Sequence, residues 1–261
     1  ELRDMTVLPT DPQALKEEEP EVSLVFSALP SEIAREAEPK FAEAGYVVCS
    51  NASAYRMHED VPLVIPEVNP DHLKLIEVQR KKRGWSGAIV TNPNCTTIVL
   101  VLSLKPLINE FGVRRLFVST MQAISGAGYE GLPSMAIIDN VIPFIEKEED
   151  KVETETLKIL GKLRGESVVP ASIGVSASCN RVHVLHGHTE TVFVELEREA
   201  SPEEVAKAMD RFVGEPQRLE LPTAPKKPIH VRPEANRPQP RFDRDAEGGM
   251  AVVVGRIRRD P

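Results

Sequence analysis

Hydrophobic and polar positions follow two alternating patterns in the first half of the chain. Val22–Leu29, Tyr46–Ser50 and Ala88–Val90 are short apolar runs, typical of strands that are covered on both faces. Helical patterns separate these runs, one beginning at Ser31 and one at Asn69. Alternating strands and helices predict an α/β fold with a parallel sheet, which binds ligands at the carboxyl ends of its strands.

Each of the two helices carries its own start and stop signals. The helix from Ser31 is predicted to end at Gly45, and the other has Asn69 as its cap and ends near Gly84. The residues expected on the buried face of the first helix are Ile33, Ala34, Ala37 and Phe41.

The pattern changes after Gly112, where longer strands predict a second domain of the α+β type. Leu116–Ile124 is one long strand, and Val192–Glu197 alternates as if one face met water. A charged helix over Glu146–Leu163 is expected to place most of its acidic residues in solvent. Pro222–Pro240 is proline-rich and is predicted to be a long loop.

Cys95 is predicted to lie where a strand turns into a helix. Pro93 ends the strand before it, Asn94 is a favourable helix cap, and Gly112 suits the far end of the helix. Unpaired amides and the positive dipole in a first helical turn stabilise a thiolate, so Cys95 is a candidate nucleophile. The alternative is a small buried residue at a turn, since free cysteine is among the most buried residue types.

Other polar residues gather at the predicted carboxyl ends of strands. Ser27, Ser50 and Asn51 lie there in addition to Cys95. The loop Ser125–Tyr129 consists mostly of small residues that allow a backbone to approach a ligand closely, although an ordinary tight loop would read the same way. No Gly-Lys-Ser/Thr follows it, so it is not a P-loop.

Three histidines cluster within six residues, at His183, His186 and His188. On a strand, His186 and His188 would share a face, and a metal site would need further ligands. One of the three could instead act as general base to Cys95, and others could have a structural or surface role. Arg181 could offer a bidentate fork to a carboxylate or phosphate.

Composition narrows the possible partners. The chain has 261 residues and a formal charge of −8, which argues against nucleic acid and anionic membranes. Its apolar stretches are too short to span a bilayer, and it shows no signal peptide. Three cysteines are too few for a disulfide framework, which favours a reducing, cytoplasmic setting.

These residues together resemble the aspartate-β-semialdehyde dehydrogenase family of the archaeal and fungal type. The segments that carry the resemblance are Ser27–Ser31, Ser50–Ser53, Asn92–Thr96, Gln122–Tyr129 and Arg181–His188. The resemblance implies a Rossmann-type doubly wound parallel sheet, present in part, and an α+β catalytic and dimerisation domain of the glyceraldehyde-3-phosphate dehydrogenase-like type. It divides the chain into residues 1–94, 95–250 and 251–261, the last beginning the return to the C-terminal end.

The resemblance also implies roles for individual residues. The catalytic set is Cys95 as nucleophile, His188 as acid/base, Gln122 orienting the substrate and Asn94 positioning the thiolate and developing oxyanion. The substrate-binding set is Arg181 at the carboxylate, with Glu148 and Lys151 near the amino and phosphate groups. The cofactor-binding set is Ser27, Ser50, Asn51, Ser125 and Gly126. No metal is implied.

The implied reaction is NADP-dependent. Cys95 would add to the aldehyde, and hydride transfer would leave a thioester that phosphate cleaves to aspartyl phosphate. The family's Gly-rich dinucleotide turn is absent from the sequence, which opens at Glu1 like the interior of a longer chain. The preference for NADP over NAD is therefore left open. A homodimer or homotetramer is the implied assembly.

Two other functions fit the same residues. A malonyl-CoA or succinyl-CoA reductase of the same fold would keep Cys95 and His188 but reduce a thioester, although Asn92–Asn94 and Asn180-Arg181 favour the semialdehyde enzyme. A non-catalytic truncated homologue serving as a binding subunit is favoured by the missing Gly-rich turn and disfavoured by the complete catalytic set.

Overall fold

The computed structural model describes residues 7–128 and 130–260, which form two compact units. The first comprises the residues up to Val64 with Asp71–Pro93 and Lys162–Val169, and the second comprises the remainder. Expectations that concern residues 1–6 and Tyr129 lie outside the described residues. The domain boundaries at residues 94 and 250 stay a prediction.

Helices and strands alternate along the described chain as far as residue 159, after which four strands follow one another. The helices are α1 (Pro12–Glu18), α2 (Ser31–Glu43), α3 (Leu75–Arg83), α4 (Cys95–Phe111), α5 (Ser134–Ile137), α6 (Glu148–Ile159), α7 (Pro202–Asp210), α8 (Glu215–Arg218) and α9 (Pro240–Asp243). The strands are β1 (Leu24–Ser27), β2 (Val47–Ser50), β3 (Ala88–Thr91), β4 (Val113–Gln122), β5 (Val141–Ile142), β6 (Lys162–Arg164), β7 (Ser167–Val169), β8 (Gly174–Val182), β9 (Thr189–Leu196), β10 (Ile229–Arg232) and β11 (Val252–Gly255). Within residues 7–128 and 130–260, no helix combines the length and apolar character needed to cross a bilayer.

The first unit is built on the predicted parallel sheet. Its order is β1-β2-β3, with α2 packed on β2 and β3 and α3 packed on β3. Phe41, Tyr46, Val48 and Ile89 are among the buried residues of its core. The three apolar runs therefore form strands as predicted, but the run Val22–Leu29 is not covered on both faces, since Leu24 is 46% and Phe26 79% exposed.

The buried face of α2 differs from the prediction, which placed Ile33 on it and did not include Glu38. Ala34 and Phe41 are buried, but Ile33 is 53% exposed and Glu38 is only 2% exposed. Glu38 Oε1 accepts hydrogen bonds from the hydroxyls of Ser27 (2.6 Å) and Ser50 (2.5 Å). Because donors from two strands satisfy it, a carboxyl group takes the place expected for an apolar side chain.

The predicted helix after Asn69 begins differently. Pro70–Lys74 is a 3-10 helix, and α3 follows it. The Asn69 side chain accepts from the Ile65 N–H, which precedes it in the chain. The predicted end is confirmed, since Gly84 takes the left-handed conformation that closes α3.

The second unit is built on a mixed sheet of order β5-β8-β4-β9, in which β4 runs parallel to β8 and antiparallel to β9. Alternate residues of β4 point inward, and Leu116 packs with Leu100 of α4, Val152 of α6 and Cys179 of β8. The other face carries Phe117, which lies opposite Phe193 of β9.

The expectation that α6 turns its acidic residues to solvent is wrong for much of the helix. Glu148 is 6% and Glu155 2% exposed. Glu149 accepts the Cys179 N–H and Glu153 accepts the Ala177 N–H, both at 3.0 Å. Helical residues four apart rise by about 6 Å and strand residues two apart by about 6.6 Å, so one helix can satisfy a strand edge in this way.

The proline-rich segment Pro222–Pro240 contains a strand that its composition does not predict. β10 lies within it and pairs in parallel with β11. The prediction of a continuous loop is therefore wrong. Tertiary pairing supplies β10 with hydrogen bonds that no local pattern reveals.

Candidate active site

Cys95 is the first residue of α4, and Asn94 is its N-cap, as predicted. The Asn94 side-chain oxygen accepts the N–H groups of Thr96 (2.9 Å) and Thr97 (3.1 Å). Cys95 itself is exposed, so the alternative of a small buried residue at a turn is wrong.

Asn94 is held from α6 as well. Its Nδ2 donates to Glu148 Oε1 at 2.8 Å, and its backbone N–H donates to Glu155 Oε2 at 2.7 Å. Both carboxylates are buried. The residue before the nucleophile is thus fixed through its side chain and its main chain.

His188 lies beside Cys95, in the segment between β8 and β9. Its Nε2 is 3.1 Å from Cys95 Sγ, and its Nδ1 accepts the Ala123 N–H at 3.1 Å. A neutral ring whose Nδ1 accepts a hydrogen bond carries its proton on Nε2, directed at the sulfur. A half-turn of the ring would put carbon atoms at both positions and lose both contacts.

Arg181 and Gln122 occupy paired inward positions of β8 and β4. Arg181 is 6% and Gln122 1% exposed. Arg181 Nη1 donates to the Ala123 carbonyl at 2.8 Å. One peptide segment at Ala123 therefore contacts both Arg181 and His188.

The small-residue loop packs closely against this pair. A Cβ on Gly126 would lie 2.8 Å from Arg181 Nη1 and 3.1 Å from His188 Cε1. Ser125 and Gly126 belong to a short 3-10 helix, Ile124–Ala127, and both are exposed. A side chain at position 126 would thus displace Arg181, His188 or both.

Glu148 remains ionised in this setting. Burial opposes its charge, but the hydrogen bond from Asn94 and the charge of Lys151 outweigh it and lower the pKa of Glu148. Lys151 Nζ lies 3.4 Å from Glu148 Oε2, and Gln122 also hydrogen-bonds this carboxylate. The structure thus brings Glu148 and Lys151 together beside Asn94.

The pKa of the Cys95 thiol is raised, against the expectation for a helix start. Partial desolvation is the largest cause and the negative charge of Glu148 the second, while hydrogen bonds from Thr96 oppose them. The predicted amide stabilisation is therefore present but is outweighed.

The pKa of His188 is lowered, first by desolvation and then by the positive charge of Arg181, with Glu148 opposing. Desolvation and a neighbouring cation both favour the neutral imidazole. A neutral His188 with its proton on Nε2 is a hydrogen-bond donor to whatever lies at the sulfur.

Three predicted cofactor residues lie in the first unit, at the carboxyl ends of β1 and β2. The hydroxyls of Ser27 and Ser50 are buried against Glu38. Asn51 is exposed, and its Oδ1 accepts from Asn92 Nδ2 at 2.7 Å. Their contacts with a cofactor stay a prediction.

His183 and His186 do not join Cys95. Both are exposed, and the segment is a loop, so the shared strand face considered for His186 and His188 is not formed. Across the described residues, no group of three or more His, Cys, Asp or Glu side chains could hold a metal ion.

Sequence reasoning missed Ala123 and Glu155. Ala123 acts through its peptide groups, which its side chain does not signal. Glu155 lies seven residues after Glu148, two turns further along the same helix face. The sequence shows this spacing, but it indicates a role for Glu155 only once Asn94 is known to lie beside this face of α6.

Comparisons with known proteins assign both parts of the chain to one family. The family model described as "Semialdehyde dehydrogenase, NAD binding domain" matches residues 1–76. The model described as "Semialdehyde dehydrogenase, dimerisation domain" matches residues 104–261.

Individual relatives agree with this assignment. The chain is 61% identical over 259 residues to the aspartate-semialdehyde dehydrogenase of Methanothermobacter thermautotrophicus, covering 99% of this chain and 73% of that protein. It is 40% identical over 263 residues to the malonyl CoA reductase (NADP) of Metallosphaera sedula, covering 99% and 72% respectively.

A solved structure resembles the fold closely. The aspartate semialdehyde dehydrogenase of Candida albicans with NADP superposes with a TM-score of 0.90 at 40% identity, covering 99% of this chain and 74% of that one. The predicted fold class, a Rossmann-type part with a glyceraldehyde-3-phosphate dehydrogenase-like catalytic part, is confirmed.

Removing the charge of Glu148 should speed the alkylation of Cys95. Glu148→Gln keeps an acceptor for Asn94 but removes the charge that raises the thiol pKa, so the iodoacetamide rate at pH 8 should rise about threefold. The rate at Cys95 is measured by peptide mass spectrometry. Glu149→Gln on the same helix is the control, and an unchanged or slower rate in Glu148→Gln would contradict the pKa assignment.

Proposed function

The chain belongs to the semialdehyde dehydrogenase family, and we propose that it catalyses the NADP-dependent reductive dephosphorylation of L-4-aspartyl phosphate to L-aspartate 4-semialdehyde. The reverse reaction is a phosphorylating oxidation, and the step serves lysine, threonine and methionine biosynthesis. The observation that carries the proposal is an exposed Cys95 at a helix start, 3.1 Å from His188 and beside buried Arg181 and Gln122.

Arg181 is proposed to bind the substrate's α-carboxylate. Its Nη1 is anchored on the Ala123 carbonyl, which fixes the guanidinium while its other donors stay available for a carboxylate. Buried Glu148 is ionised and suits the substrate's amino group, and Lys151 suits the phosphate. Gln122 orients the substrate from its place between Glu148 and Arg181.

Cys95 is proposed as the nucleophile. Its thiolate adds to the acyl carbon and forms the C–S bond of a tetrahedral intermediate, the C–O bond to phosphate breaks as that intermediate collapses, and phosphate leaves with the proton that the overall reaction consumes. After reduction of the thioester, the C–S bond breaks, the aldehyde leaves and the thiolate is restored. Asn94 keeps the sulfur in place through its contacts with α4 and α6.

His188 is proposed as the acid of the site. Each tetrahedral intermediate carries a negative oxygen next to the sulfur, and the Nε2 proton is directed to that region. An alkoxide that collapses directly to aldehyde and thiolate needs a hydrogen-bond donor more than a proton acceptor. A neutral His188 supplies that donor without the charge that Arg181 disfavours.

The residues present fit a dinucleotide. Exposed Asn51 lies at the carboxyl end of a parallel strand, where such ligands bind, and exposed Ser125 and Gly126 offer backbone without bulk. Bound NADPH would supply the hydride. We propose that Asn51, Ser125 and Gly126 contact it, while Ser27 and Ser50 shape the strand ends through Glu38.

The rival functions are less well supported. Identity to the Methanothermobacter dehydrogenase is 61%, against 40% to the Metallosphaera malonyl CoA reductase. A non-catalytic binding subunit would have no need of a cysteine beside an imidazole, with a buried arginine held on the same peptide segment as that imidazole.

The open face of the mixed sheet supports a homodimer, or a homotetramer built from it. Phe117 is 49% and Phe193 44% exposed, and they are paired across β4 and β9. An exposed aromatic pair on a sheet face is typical of an interface. We also propose a cytoplasmic location, which suits a biosynthetic enzyme whose cysteines are free.

The first test is turnover by the full-length gene product. NADP reduction with aspartate semialdehyde should require phosphate, and Cys95→Ala should lower kcat by at least about 10⁴-fold because the nucleophile is lost. NADPH oxidation with malonyl-CoA is the parallel assay. Turnover with the CoA ester alone would move the function to the rival reductase, and silence in both assays would favour the binding subunit.

Gly126→Ala should impair substrate binding and chemistry together. The added methyl group would displace Arg181 and His188, so kcat/KM should fall about 10- to 100-fold. Gly128→Ala is the control for loop strain, because a Cβ there meets nothing within 4 Å but the φ of +85° disfavours alanine, whereas Gly126 has no positive φ. Equal losses in the two variants would show that loop strain, and not contact with the pair, is responsible.

Phe117→Asp should dissociate the assembly. A charge placed in the core of the proposed interface cannot be solvated there, so the mass in sedimentation equilibrium should fall toward that of a monomer. Phe144→Asp, at a residue 63% exposed outside the sheet, is the control. An unchanged mass for Phe117→Asp would place the interface elsewhere.

A further inference from the structure

We infer that Glu155 is a positioning residue for the nucleophile, acting on Cys95 through the backbone N–H of Asn94. The inference rests on the proposed function of Cys95 and adds a residue to its machinery. Glu155 contacts no reacting atom, so its role is to place one.

The contact is short and buried. Glu155 Oε2 lies 2.7 Å from the Asn94 nitrogen, and the Glu155 side chain is 2% exposed. This N–H belongs to the N-cap and has no acceptor within α4, because the helix begins after it. A carboxylate makes a stronger hydrogen bond to a backbone N–H than a neutral acceptor does.

Glu155 and Glu148 act on Asn94 from one rigid element. They are two turns apart on α6, and one accepts the main-chain N–H while the other accepts the side-chain Nδ2. Two contacts to different atoms fix the orientation of Asn94 as well as its position. Cys95 is the next residue in the chain, so fixing Asn94 also fixes the position of the Cys95 sulfur relative to His188.

The neighbouring acidic residue Glu153 provides a matched comparison. It lies on the same helix and accepts the backbone N–H of Ala177 in β8 at 3.0 Å. That contact lies at the sheet edge and does not touch Asn94. The effect of shortening any acidic side chain of α6 can thus be separated from the effect of shortening the one that contacts Asn94.

The test compares Glu155→Asp, Glu155→Gln and Glu153→Asp in the full-length gene product. Asp withdraws the acceptor by one methylene but keeps the charge, whereas Gln keeps an acceptor at the original reach. Glu155→Asp should lower kcat about 10- to 100-fold with KM changed less than about threefold, because misplacement of about 1 Å is costly in chemistry. Glu155→Gln keeps an acceptor at that distance but loses the charge that strengthens the bond, so its kcat should fall less than that of Glu155→Asp, and Glu153→Asp should stay within about threefold of the parent in both constants.

Two outcomes would overturn the inference. One is equal kcat in Glu155→Asp and Glu153→Asp, and the other is a larger loss in Glu155→Gln than in Glu155→Asp, which would make charge the relevant property. The iodoacetamide rate at Cys95 supplies a readout that needs no turnover. If the proposed reaction is absent from the parent protein, a slower rate in Glu155→Asp alone still supports the positioning role, and equal rates in all three variants reject it.

Discussion

Three polar groups of Asn94 hold the start of α4 in place: the oxygen and the nitrogen of its side-chain amide, and its backbone N–H. Its side-chain oxygen caps the helix, and its two kinds of N–H reach the carboxylates of Glu148 and Glu155. Each of these bonds supplies a donor to a buried carboxylate, and removing a donor from a buried charge is costly. The position of the sulfur is therefore set by α6 as much as by the helix that carries it.

The second fixed point is the peptide around Ala123. Its carbonyl anchors the proposed carboxylate-binding group, Arg181, and its N–H selects the tautomer of His188. The roles proposed for Arg181 and His188, in substrate recognition and oxyanion stabilisation, thus depend on one piece of main chain at the end of β4. Main-chain groups at the end of a sheet strand are well suited to this, because the ladder on both sides of β4 restrains them.

The sequence allowed the strands of the first unit and the place of Cys95 to be predicted, because Pro93, Asn94 and Gly112 act on the chain immediately around them. It failed where partners are distant along the chain. β10 depends on β11, and the burial of Glu38 depends on two strand-end serines. The raised pKa of Cys95 depends first on desolvation by the folded chain and then on Glu148 from α6. For the site, residue types and neighbours could be named, whereas Ala123 and Glu155 required the tertiary structure.

The acidic side chains of α6 accept hydrogen bonds from two places, Asn94 at the start of α4 and the open edge of β8. Inserting or deleting one residue in α6 would rotate everything beyond it by about 100° and break both sets of bonds at once. The helix can therefore exchange its solvent-facing residues freely but cannot change its length. Variation in chain length among related sequences should accumulate in the loops on either side of α6 and leave its twelve residues uninterrupted.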